Sequence, residues 1–280
     1  MSTRTDIRDP QRAARPAPGH GPTRAIREVR VTSLGALVDE LTPEVDRDTG
    51  HRRALAVYRG CRDASSPLLT SLDRLAGVER PHAKSHLEPH LFRSFARYAR
   101  AFVSSSRPWE LLATAQHHGV PTRLLDWTVS PLIAAHFATL RPRGLAVVIW
   151  RLDWRRVHER FELPDHALTI DEVEGFFGEV PPFDEASRRR KSPIACLLEP
   201  PSFEPRIVAQ AGAFTVCSDT SVSFDDFLAR HGLSDALTRF VIEADDVPML
   251  RDQLDLLGVD ERRIFPDLDG VAAAIRRYYE

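Results

Sequence analysis

The sequence predicts an α+β fold, a single mixed-sheet domain with surrounding helices, and three observations carry that expectation. Strand-like and helix-like segments follow one another without regular βαβ alternation, which argues against a doubly wound parallel sheet. No glycine-rich phosphate loop follows a strand signal. The run from Gly144 to Trp150 is continuously apolar and of strand length, as an interior strand of a covered sheet should be.

Taken in order, residues 1–30 contain seven arginines against Asp6, Asp9 and Glu28, with prolines at 10, 16, 18 and 22. That composition reads as a disordered basic tail, with weak attraction to nucleic acid or an acidic partner as its functional alternative. The folded domain is expected over 31–280. Ser33 caps a helix carrying Leu34, Leu37, Val38 and Leu41 on one face. Residues Ala54 to Tyr58 form a short apolar strand that ends in Arg59-Gly60. A helix with Leu87, Leu91, Phe95, Tyr98 and Phe102 on one stripe comes next, then a helix from Trp109 to His118 that Pro108 opens and Gly119 ends.

Thr122 to Thr128 reads as extended. Ser130-Pro131 then caps and opens a helix that buries Leu132, Ile133, His136, Phe137 and Leu140. Residues 155–200, acidic in the middle, with the basic run Arg188 to Lys191 and prolines near the end, read as a peripheral insertion. Strand signals return at Arg206 to Gln210, Ala213 to Cys217 and Arg239 to Glu243. Asp246 caps a helix that Gly258 ends, and a last helix carries Leu268, Val271 and Ile275.

At 280 residues with 42% hydrophobic and 28% charged residues, the chain can bury a substantial core. A formal charge of −2 supplies no global electrostatic reason to bind nucleic acid or an anionic membrane. Cys61, Cys196 and Cys217 are odd in number and far apart, with no Cys/His cluster of zinc spacing, so the expectations are reduced thiols, a cytoplasmic setting and no metal. No stretch approaches 18 consecutive apolar residues, and no membrane contact is expected.

Chemistry concentrates in three places. Arg59 stands where a strand ends and a glycine frees the backbone, and its planar fork suits phosphate or carboxylate; a surface arginine at a turn is the plain alternative. The segment from Gln116 to Pro131 packs many hydrogen-bonding groups beside an apolar helix. Within it, Arg123 and Asp126 read either as pocket residues or as a structural ion pair joining strand to helix cap. His117 and His118 invite a metal or general-base role, against the plainer reading of helix-end imidazoles satisfied by backbone carbonyls. In the third segment Gly212 breaks a strand-like run, a bulge that would aim Gln210 or Phe214 into a cleft.

Tyr58-Arg59-Gly60, the block from Gln116-His117-His118-Gly119 to Phe137-Ala138, the block from Arg206-Ile207 to Gln210-Ala211-Gly212-Ala213-Phe214, and the late Ile264-Phe265-Pro266-Asp267-Leu268-Asp269 resemble the FRG-domain family, over about residues 31–280. The order of elements also resembles, more distantly, the ADP-ribosyltransferase architecture with its split sheet. The resemblance implies Arg59, Asp126 and Gln210 as catalytic residues, and Arg59, Gly60, His118, Thr122, Arg123, Thr128 and Phe214 as residues that hold a nucleotide. It implies NAD as substrate, a mono-ADP-ribosyltransferase or NAD-cleaving toxin or defence effector, and a protein or nucleic-acid acceptor. A neutral glutamine, Gln210, stands where those enzymes place a carboxylate. The alternative is a non-catalytic nucleotide- or anion-binding sensor or interaction module.

Overall fold

The computed structural model describes residues 25–41, 56–75, 81–103, 107–179, 193–200 and 205–279. Its centre is a seven-stranded mixed sheet in the order β1-β7-β4-β2-β3-β6-β5. The strands are β1 (Arg27–Arg30), β2 (Val57–Cys61), β3 (Leu125–Thr128), β4 (Val147–Leu152), β5 (Ala195–Leu198), β6 (Gly212–Cys217) and β7 (Leu237–Ile242). All neighbours are antiparallel except β1, which runs parallel to β7 with Arg27 opposite Thr238. The α+β expectation holds. Residues 27–30, assigned by composition to the basic tail, instead form this edge strand; residues 1–24 lie outside the described residues, as do Ala54, Leu55 and the Arg188 to Lys191 run.

Because side chains alternate across a strand, the two faces of the sheet are read off β2. Tyr58 belongs to one core cluster, with Ile149 and Phe240, under α1 (Leu34–Leu41), α4 (Pro131–Thr139) and α9 (Val247–Leu256). Val57 belongs to the other, with Trp127 and Trp150, against α3 (Pro108–His117), α5 (Trp154–Arg160), α6 (Ile170–Phe177) and α8 (Phe224–Arg230). Local rules set the helix starts: Ser33 and Ser130 accept hydrogen bonds from Ala36 N and Ile133 N, and Pro131 occupies the first turn of α4. Gly119 (φ 81°) ends α3 as expected.

Two expectations are corrected. The described part of 155–200 is no peripheral insertion, since Val157, Phe161, Ile170, Val173, Phe177 and the whole of β5 are buried in the larger cluster. His158 ties it in: Nδ1 lies 2.7 Å from Pro164 O while Nε2 accepts from Leu197 N at 2.8 Å, which fixes the proton on Nδ1. Residues 205–209 are a short helix, α7 (Pro205–Ala209), not a strand; the turn into β6 passes through Ala211 at φ 45°, so the left-handed residue is the alanine and Gly212 starts the strand. The last helix, α11 (Leu268–Tyr278), carries Leu268, Val271 and Ile275 as expected and turns them outward.

Beneath the α4 face lies a charge network. Arg251 of α9 donates to His136 Nδ1 at 2.7 Å and to Asp255 and Glu261; Glu261 belongs to α10 (Glu261–Ile264) and also accepts from Arg277 of α11. With a guanidinium donating to its Nδ1, His136 must stay neutral; burial first and the Arg251 charge second push its pKa down to about 4. Burial likewise lowers His158.

In the unfolded chain these imidazoles take up protons near pH 6.5, so their contribution is fully present above that pH and is lost as pH falls toward 4. For His136 the shift corresponds to about 3 kcal/mol. The melting temperature should therefore drop between pH 7 and 4.5, and His136→Gln, which keeps an acceptor for Arg251, should flatten that slope. Calorimetric melts of both proteins across the window check this, and identical slopes would assign the acid loss elsewhere.

Candidate functional site

The sheet has a discontinuity where chemistry can be placed. β2 and β3 pair only through Tyr58 opposite Thr128, whereas β2 pairs with β4 over its whole length and β3 pairs with β6 over its whole length. Past that single pair the strands part. Gly60 faces α4 in this region, and a Cβ there would stand 1.9 Å from Ala134 O and 2.5 Å from Ala138 N, so helix and strand meet backbone to backbone. Arg59, one residue earlier, points to the opposite face. Its Nη1 donates to Asp126 O at 2.7 Å and lies 3.5 Å from Asp126 Oδ2, standing in for the ladder partner that β2 does not supply.

Asp126 is oriented from its other side as well. Gln116, at the end of α3, donates Nε2 to Asp126 Oδ2 at 2.8 Å, while its Oε1 accepts from Thr122 Oγ1 (2.7 Å) and Ser71 Oγ (3.1 Å). Ser71 in turn accepts from Thr122 N, and Thr122 Oγ1 accepts from Leu124 N. The amide of Gln116 therefore cannot flip without losing both ends of the chain. The Asp126 side chain remains 52% exposed, and its Oδ1 has no hydrogen-bond partner among the described residues. The same holds for Nε and Nη2 of Arg59. Arg74 lies alongside, its Nη1 donating to Leu69 O at 2.6 Å; burial first and the Arg59 charge second push its pKa below the ordinary guanidinium value.

The structure brings together Arg59 and Asp126, and joins Thr122 to them through Gln116. It does not bring in Arg123 or Gln210. Arg123 is not Asp126's partner: its Nε donates to both carboxylate oxygens of Glu88 at 2.8 and 2.9 Å, its Nη2 to Glu88 Oε2 and its Nη1 to Cys217 O at 3.4 Å. Both side chains are buried, at 3% and 1% exposure. Glu88 comes from α2 (Pro81–Ala99), beyond the reach of the local spacing that suggested Asp126. Gln210 lies past the Thr128 end of β3, where its carbonyl accepts from Thr128 Oγ1 at 2.7 Å and its Nε2 donates to Ile264 O at 3.4 Å. The Thr128 hydroxyl is thus spent inside the fold, also accepting from Ser130 N.

Phe214, opposite Asp126 in the ladder, is buried in the larger core cluster, and His118 is the exposed C-cap of α3, its ring edge-on to His117. Among the described residues no group of three or more His, Cys, Asp or Glu is arranged to hold a metal ion. No helix among them is long and apolar enough to cross a membrane. A cavity of about 20 Å³, room for a single water, lies on the Arg123 side between Asp73, Thr215, Cys217 and Phe224. Sequence reasoning missed Ser71 and the role of Gln116, although Gln116 stands first in the polar block. It missed Glu88 too, whose signal was an acidic residue beside Leu87 on an otherwise apolar stripe.

The FRG-domain family model matches residues 54–145, a span that holds Arg59, Gln116, Thr122 and Asp126 but neither Gln210 nor Phe214. No curated protein and no solved structure matches the chain.

The two carboxylates should respond differently to mutation. Glu88→Ala leaves a buried guanidinium uncompensated and should cost roughly 3–5 kcal/mol of stability. Asp126→Asn, at a half-exposed position, should cost less than about 1 kcal/mol. Urea titrations of both variants measure the contrast, and equal losses would contradict the assignment of Arg123 to Glu88.

Proposed function

We propose that this chain, whose residues 54–145 are an FRG domain, binds a phosphate-bearing ribose ligand, NAD in the reading its resemblance implies, in the opening between β2 and β3. One observation carries the reading: Arg59 Nη1 and Asp126 Oδ2 lie 3.5 Å apart, each side chain held by another bond, while Nε and Nη2 of Arg59 and Oδ1 of Asp126 have no partner among the described residues. Donors and an acceptor fixed in this way are what a ligand with phosphate and hydroxyl groups requires. The guanidinium holds phosphate as a fork. The carboxylate receives ribose hydroxyls and, as nicotinamide leaves, faces the positive charge that develops on the ribose.

At ~4 Å and an effective dielectric near 20, that attraction is on the order of 4 kcal/mol, enough to carry a substantial part of the rate. Gln116 acts as a positioning residue, since its amide N–H holds Asp126 while Thr122 and Ser71 hold its carbonyl. The activity is then NAD cleavage or transfer of the ADP-ribosyl group to a protein or nucleic-acid acceptor. Binding without turnover, as a nucleotide sensor or interaction module, is the second reading. It is favoured by Gln210, whose amide is committed to Ile264 O and which carries no charge to offer the ribose.

Purified protein should bind NAD calorimetrically and release nicotinamide. Arg59→Lys, which keeps the charge but loses the fork, should weaken binding by about 1 kcal/mol with an unchanged melting temperature. Asp126→Asn should cut turnover at least about a hundredfold, equivalent to about 2.7 kcal/mol, while binding persists. Binding that never yields nicotinamide supports the sensor reading, and wild-type protein that binds neither NAD nor ADP-ribose refutes both.

A further inference from the structure

The last helix carries a feature that the site does not use. α11 seats itself on the body through one face: a Cβ on Gly270 would stand 1.9 Å from Phe265 O, and Arg277, one helical repeat later, bonds Glu261 and Asp255. At 100° per residue the opposite side holds Tyr278, Val271, Ile275, Leu268, Tyr279 and Ala272 in a continuous apolar stripe about 120° wide. These residues are open to solvent: Leu268 is 85% exposed, Ile275 57% and Tyr279 82%. A contiguous apolar surface of this kind is uncommon on a protein that keeps it in water.

Two charges line one flank of the stripe, Asp269 near the start of the helix and Arg276 seven residues later. Neither side chain has a hydrogen bond or ion pair among the described residues. Their placement selects an occupant. When two copies of a helix pack face to face and antiparallel about a two-fold axis, each flank meets the same flank of its mate running in reverse. Centred between residues 272 and 273, such a pairing sets Asp269 against Arg276 of the second copy twice over, and puts the small Ala272 of each copy near the crossing point. A parallel pairing brings each charged flank against the opposite, uncharged one.

We propose that α11 is a self-association surface and that the chain forms a two-fold dimer through antiparallel packing of this helix on its copy. An 11-residue helix buries less than the roughly 800 Å² per partner of a standard interface, so the dimer is concentration-dependent.

Sedimentation velocity of the full chain across a concentration series tests the proposal. The wild type should shift from monomer to dimer, and Ile275→Glu should remain monomeric at every concentration. Asp269→Arg and Arg276→Asp should each weaken association about tenfold or more, whereas the double variant Asp269→Arg/Arg276→Asp, which restores opposite charges across the axis, should recover it. All three positions are exposed, so unchanged melting temperatures verify that folding is intact. A wild type that stays monomeric throughout, as a surface made for a membrane or an unrelated protein predicts, overturns the proposal. So does a dimer indifferent to Ile275→Glu, or a double variant that fails to recover.

Discussion

The contact between Gly60 and α4 is the constraint on which this architecture rests. Strand and helix backbones touch there at a distance no side chain permits, with Ala134 and Ala138 supplying the helix surface. Only Val129 and Ser130 separate α4 from β3, so a helix pressed onto β2 holds the end of β3 at Thr128, the one residue that pairs with Tyr58. The remainder of β3 follows β6. A close approach on one face of the sheet thus coincides with an opening on the other, and Arg59 stands between them because it precedes Gly60 and alternation turns it the opposite way.

Charge is used differently in three of its clusters. Arg123 with Glu88, and Arg251 with its carboxylates and His136, are sealed inside, where separating the partners is expensive and the pairing fixes how α2, α4 and α9 dock. Arg59 with Asp126 is partly open to water and spans 3.5 Å between side-chain atoms, a weak pair by comparison. Weakness has a use here: the pair contributes little to stability, so its geometry is free to serve a ligand rather than the fold.

Several elements were legible because their signals are local. Ser130-Pro131 at the start of α4, Gly119 at the end of α3 and the apolar run that became β4 depend on a few neighbouring residues, and each stands where the chain chemistry puts it. Arg59 and Asp126 were legible through residue type within a recognisable motif. Glu88 was not, because its partner is 35 residues away and a buried carboxylate on a helix has the same letters as a solvated one. The α7 segment was misread because Arg206 to Gln210 holds β-branched Ile207 and Val208, whose strand preference yields to the tertiary context. Which way the α11 stripe faces was not legible at all. Periodicity reports that a helix has an apolar face, and says nothing about which molecule covers it.

The sheet order also bears on how the chain can fold. β4 is bordered by β2 on one edge and by β7 on the other, and among the described residues β1 pairs only with β7. During synthesis the β2 edge is satisfied early, but the second edge waits until Leu237 to Ile242 have left the ribosome, and β1 waits with it. Closure over so long a span is slow compared with helix formation. For that interval Val147, Val148, Ile149 and Trp150 present an unpaired and almost wholly apolar strand edge, so a nascent or C-terminally shortened chain is most exposed to chaperones, and to aggregation, at β4.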